Sequence, residues 1–261
     1  MNLYRYISLD RFFSSLKLTN GEWRFIIRFN SPINFEDKWE GLGNGLVNQL
    51  NTINIEREYE NRVLSDGFII EGKEQLKESL NQICGIKDSL DKKLVEAIEY
   101  SNEHLMLCWF RGSNNSPDSE SFAMWNLYAK NNGILIGYPL QEIVDSFSKM
   151  SLKILNNKLT YINFLTNHFD PKLHCNLQSL FFKDKSYKYE NEYRFIINEK
   201  SSVNFKDIEL PLPKELIANP SFSDGTILAL NRTIREYCNL SLKKSKLSTK
   251  FSRNEILDYL K

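Results

Sequence analysis

The stretch FAMWNLYAKNNGILIGY, residues 122–138, changes its apolar period partway along. Phe122, Trp125 and Ala129 recur at three- and four-residue steps, which places them on one helix face. Gly133 ends that helix, and Ile134 to Tyr138 form a short apolar run with strand character. A helix turning at once into a buried strand predicts an α+β packing unit, and the rest of the chain extends it.

Upstream, residues 3–7 read as a strand. Ser8 caps a helix running to Leu16, with Leu9, Phe12, Phe13 and Leu16 at helical spacing. Residues 24–29 form a second strand, stopped at Pro32. Residues 33–72 hold Gly41, Gly43 and Gly45 and read as a loop with short helices. Their Gly-x-Gly-x-Gly lacks the strand-before, helix-after setting of a dinucleotide loop. Residues 73–104 are helical, with a break expected at Gly85, and residues 105–110 are a buried strand. The polar loop 111–121 joins two apolar elements, a place where functional loops tend to lie.

Downstream, residues 140–150 form a helix and residues 159–162 a strand. Leu173, Leu177, Leu180 and Phe181 give a helix, and residues 193–197 a strand. Ile227, Leu230, Ile234 and Cys238 mark a late helix, and residues 240–242 a strand. Ser252 with Glu255 is a capping-box signature for a last helix. No repeat or linker divides the chain. The expectation is one α+β domain over residues 1–261, with mixed or antiparallel sheets and flanking helices.

Composition excludes several classes. The chain has 261 residues, with 34 Lys and Arg against 33 Asp and Glu, so its formal net charge is +1. That balance argues against wrapping duplex nucleic acid by bulk charge. Hydrophobic residues make up 41% and charged residues 26%, ordinary globular usage. No apolar run approaches membrane-spanning length. The start, Met1 to Tyr6, shows no secretory pattern, and Cys84, Cys108, Cys175 and Cys238 form no CxxC pair. Reduced thiols in a cytoplasmic protein are expected. His104, His168 and His174 are the only histidines and lack paired zinc spacing, so no metal site is expected. Serine-hydrolase elbows and phosphate loops are absent.

Three segments hold chemistry-bearing residues. Arg5 lies in a short aromatic strand with Tyr4 and Tyr6. Trp125 and Tyr128 lie on the helix of the opening stretch. Glu190 and Glu192 are spaced to point the same way if extended, and their repulsion raises one pKa unless a cation such as Arg194 or Arg5 is near. Each also has a purely structural reading: an edge strand, a core helix and a strand-entry salt bridge.

Taken in order, these segments resemble the bacterial family called domain of unknown function 2971. The residues that carry the resemblance are Leu3 to Tyr6, Asn34 to Glu40, Cys108-Trp109-Phe110, Trp125 to Ala129, Gly133 to Tyr138 and Lys185 to Arg194. Their order is in turn similar to that of ADP-ribosyltransferases. That similarity implies an ADP-ribosyltransferase-like fold and NAD as substrate, with transfer to a protein or RNA acceptor. A toxin or phage-defence setting, with a possible operon partner, is also implied. By this analogy Arg5 holds the pyrophosphate, with Tyr4 and Arg194 also at the cofactor, and Trp125 or Tyr128 stacks the nicotinamide. Glu192 stabilises the ribosyl cation and Glu190 activates the acceptor.

Two other classes stand beside it. One is a non-catalytic binding or regulatory module, with the Glu190, Glu192 and Arg194 cluster as a structural ion-pair network. The other is an RNA-targeting toxin, touching phosphate through Lys243, Lys244, Lys246, Lys250 and Arg253.

Overall fold

Ser8 separates the first two elements as expected. Strand β1 (Asn2–Ser8) gives way to helix α1 (Leu9–Ser15), whose first turn is capped by Ser8 Oγ accepting from the Arg11 amide at 3.2 Å. The chain then turns through β2 (Leu16–Thr19) into β3 (Glu22–Asn30). The computed structural model describes residues 1–35, 46–65, 73–111, 120–166, 172, 174–238 and 240–248. Gly41, Gly43, Gly45, most of loop 111–121, His168, Leu173, Lys250, Arg253 and the Ser252/Glu255 cap lie outside the described residues.

Two long helices follow, α2 (Leu46–Ser65) and α3 (Lys73–Asn102), packed on each other. Both depart from expectation. A 20-residue helix stands where a loop with short helices was expected. Among its described side chains only Leu50 and Ile53 are buried, so its apolar period was too sparse to read. Helix α3 runs unbroken through Gly85, because a single glycine costs a helix only about 1 kcal/mol against alanine.

Strand β4 (Met106–Arg111) is the joint of the main sheet. One edge pairs antiparallel with β9 (Glu192–Ile197) from Met106↔Ile196 to Phe110↔Glu192. The other edge is divided: β1 takes Phe110 and Arg111, and β3 takes Met106. On the β1 side the sheet continues through β5 (Gly133–Pro139), which pairs with all of β1. Beyond it, β9 also carries β6 (Ile154–Lys158), and β3 also carries β10 (Phe205–Leu210). A small parallel pair, β7 (Thr160–Ile162) with β8 (Phe182–Asp184), stands apart. Strand β11 (Glu215–Ala218) flanks β5 and bears β12 (Leu242–Lys243) in parallel. The fold is α+β, with a mostly antiparallel mixed sheet and flanking helices. No helix among the described residues is long and apolar enough to cross a membrane.

The opening stretch folds nearly as read. A helical turn, α4 (Phe122–Met124), widens into a π-helical turn (Trp125–Ala129) before β5. Gly133 is required by close approach. A Cβ there would stand 2.5 Å from the Ile7 carbonyl oxygen and 2.8 Å from Ala129 Cα. Helices α5 (Leu140–Lys149) and α6 (Asp224–Tyr237) lie near their expected places. Around Leu177 only a short 3₁₀ turn forms (Leu177–Phe181).

Alternation along the strands sorts the side chains into two layers. Leu3, Ile7, Leu107, Trp109, Ile134, Ile136, Tyr193 and Phe195 enter the main core with Ile143 and Phe147 of α5. Tyr4, Tyr6, Phe110 and Leu135 face the other way and pack on Met124, Trp125 and Ala129.

Candidate functional site

Strand β9 carries Glu192 and Arg194 on the same face, because they are two residues apart in a regular strand. Glu190 ends a 3₁₀ turn (Lys185–Glu190), and Asn191 between them takes a left-handed φ of 40°. The segment is therefore bent rather than extended. The two carboxylates still converge, because both bind one cation. Lys183 Nζ, on β8, donates to Glu190 Oε2 at 2.7 Å and to Glu192 Oε2 at 3.2 Å.

Arg194 completes the cluster. Its Nε donates to Glu192 Oε1 at 2.9 Å and its NH1 to the Leu180 carbonyl at 2.5 Å. Arg194 is 0% exposed, Glu192 4%, Glu190 5% and Lys183 7%, so four charged groups are folded away together. Burial drives the Glu192 carboxyl upward, but Arg194 first and Lys183 next, aided by the Cys108 thiol, hold it down at about 2. The expected mutual repulsion is thus answered by Arg194, as the sequence allowed, and by Lys183 rather than Arg5.

The network reaches the surface at Tyr128. Its hydroxyl donates to Glu190 Oε1 at 2.7 Å while half of the residue remains exposed. Burial and the Glu190 charge push its pKa well up, so the hydroxyl stays a donor. Tyr189 is also largely exposed and near enough to influence Tyr128, and the Tyr187 ring covers Lys183 Nζ at 4.9 Å. Tyr161 accepts from the Glu192 amide at 2.8 Å.

The remaining candidates lie elsewhere. Trp125 is 2% exposed, and its indole N–H donates to Glu120 at 3.2 Å. Tyr4 is 6% exposed, and its hydroxyl donates to Glu215 at 3.0 Å. Both rings are packed in the core, and of the three Tyr128 alone has half of its surface exposed. Arg5 belongs to a central strand, not an edge, and alternates onto the side of Leu3 and Ile7, away from the face that carries Glu192. Its guanidinium makes no hydrogen bond or ion pair with the described residues. Desolvation lowers its pKa, with Cys108 and Arg11 as electrostatic neighbours.

Lys183 and Tyr161 escaped the sequence reading. A lone Lys inside Leu180-Phe181-Phe182-Lys183 was the available signal for a buried cation. Within the basic run, Lys243 pairs with Glu215 at 2.8 Å and Lys244 with Asp224 at 2.7 Å. No metal-holding group of His, Cys, Asp and Glu occurs among the described residues. His104 and His174 bind the Tyr100 carbonyl and Glu96.

Fold and site together define an α+β protein with a sealed charge network under an exposed tyrosine. The profile of a family described as "Protein of unknown function (DUF2971)" matches residues 124–195, a span from Met124 to Phe195 that contains Tyr128, Lys183, Glu190, Glu192 and Arg194. No curated protein and no solved structure matches the chain.

Proposed function

We propose that the chain is a binding module for a flat aromatic ligand of the nucleotide class, received at the Tyr128 lip. The carrying observation is the half-exposed Tyr128 ring, fixed by its hydroxyl on the buried Glu190 carboxylate. A ring held at one end loses little freedom when a base stacks on it, and such stacking contributes about 1–3 kcal/mol. Beneath it, every charge of Lys183, Glu190, Glu192 and Arg194 is matched within the chain, so the network supports the lip as rigid scaffolding.

A second reading is NAD-dependent ADP-ribosyl transfer. It is favoured by the Glu190 carboxylate in contact with an exposed tyrosine, and by Glu192 being held ionised. In that reading Glu192 stabilises the ribosyl cation and Glu190 activates the acceptor. A toxin or defence role, with a protein or RNA acceptor and an operon partner, belongs to this reading.

One experiment tests both. NAD, ADP-ribose and AMP are titrated into wild type and Tyr128→Ala while nicotinamide release is followed with cell extract present. The binding module predicts saturable binding, weakened about 10-fold or more in Tyr128→Ala, without nicotinamide release. Release that disappears in a folded Glu190→Gln variant establishes the transferase instead. Absence of binding by all three nucleotides overturns the module.

A further inference from the structure

Helix α3 carries a feature that the rest of the chain does not explain. Gly85 lies mid-helix, where glycine is unfavourable, yet a Cβ at this position meets nothing within 4 Å. The chain's own packing therefore sets no requirement for glycine. Gly85 instead lines an open groove of about 660 Å³ between α2 and α3, with Gln49, Gln82, Ile86, Ser89, Leu90 and Lys93. Gln49 Oε1 is buried there without a hydrogen-bond partner among the described residues. Ile86 stands beside Gly85 with 49% of its surface exposed.

The groove side of α3 is a stripe with internal symmetry. Glu78, Gln82, Gly85, Ile86, Ser89 and Lys93 follow one another at steps of four, three, one, three and four residues. Those steps keep all six on one helix face. They also read alike from either end, with the midpoint between Gly85 and Ile86. Residue types match across that midpoint: glycine opposite a large apolar chain, amide opposite hydroxyl, carboxylate opposite ammonium.

We propose that this face is a self-association surface, on which α3 of a second copy packs antiparallel about a two-fold axis through the Gly85–Ile86 boundary. Such an axis brings equivalent positions together in reverse order. Ile86 enters the space over Gly85 of the partner subunit, which the absent Cβ leaves open. Gln82 meets Ser89 of the partner subunit, and Glu78 meets Lys93 of the partner subunit, so opposite charges face at both ends. At about 1.5 Å per residue α3 is roughly 45 Å long, long enough for the whole stripe. Among the described side chains, the α2–α3 hairpin buries Leu50, Ile53, Leu90 and Ala97, with Ile83 and Leu94 packed against them. Two hairpins together make a four-helix arrangement with a shared interior.

Sedimentation equilibrium on the full chain, from micromolar to several hundred micromolar, tests this. The expected result is a monomer–dimer equilibrium that Gly85→Leu weakens about tenfold or more, with an unchanged circular dichroism spectrum. Lys93→Glu weakens it as well, and Lys93→Glu with Glu78→Lys restores it. A monomer at every concentration overturns the proposal. So does a dimer indifferent to Gly85→Leu, or a charge swap that fails to restore association.

Discussion

Glu192 and Arg194 illustrate why a buried ion pair is specific rather than simply stabilising. Removing one member leaves the other charged and dry, which costs about 3–5 kcal/mol, whereas replacing both with apolar groups is often neutral. Glu192→Gln should therefore lower the unfolding free energy by several kcal/mol in urea titration. Changing Glu192 and Arg194 together to Met should cost far less than the sum of the single changes. Acidity adds a second test. The Glu192 carboxyl sits at about 2, below its ordinary 4.5, so its contribution is complete above the unfolded value and disappears as pH falls through the folded one. Thermal stability should decline as pH falls from about 5 toward 2. A Glu192→Gln chain should show a shallower acid limb; an equally steep limb would assign the acid sensitivity elsewhere.

At the scale of elements, the two helix-associated glycines carry opposite expectations. Gly133→Ala drives a methyl group into the Ile7 carbonyl and Ala129, and should destabilise the protein by about 3 kcal/mol in a melting experiment. Gly85→Ala meets no atom of its own chain, so in dilute solution it should stabilise α3 by up to about 1 kcal/mol. Most elements with a dense apolar period were legible: β1, β3, β4, β5, β9, α5 and α6 all appear near their expected positions. The Ser8 cap was legible for the same reason, since its physics is local. Helix α2 was not, because its apolar period is sparse, and strands β10 and β11 were not, because their places are set by partners distant in sequence. Strand β10 exists to pair with β3, and its exposed Phe205, Lys206 and Asp207 show no alternation of burial. The site was half legible. Glu190, Glu192 and Arg194 could be grouped from their spacing, whereas Lys183 reaches them only through the placement of β8. The expected faces of Arg5, Tyr4 and Trp125 depended on knowing that β1 is central.

For the molecule as a whole, the divided edge of β4 governs more than shape. The first strand waits for residues 133–139, β4 for residues 192–197, and β3 for residues 205–210. Almost every lateral bond of the sheet thus closes a very long loop, which slows the search for the native arrangement. On the ribosome, β1 emerges well before β5, and β3 and β4 well before β10 and β9. Their unpaired edges stay open in that interval, and aggregation competes with folding. Refolding from urea should be slow and lose yield as protein concentration rises, whereas the α2–α3 hairpin, whose contacts are local, should regain helicity early in stopped-flow circular dichroism. A nascent chain halted before Glu192 should remain protease-sensitive at β4 and β6, which lack β9. The sheet is therefore completed late in the life of the polypeptide, when β9 and β10 reach the strands that wait for them.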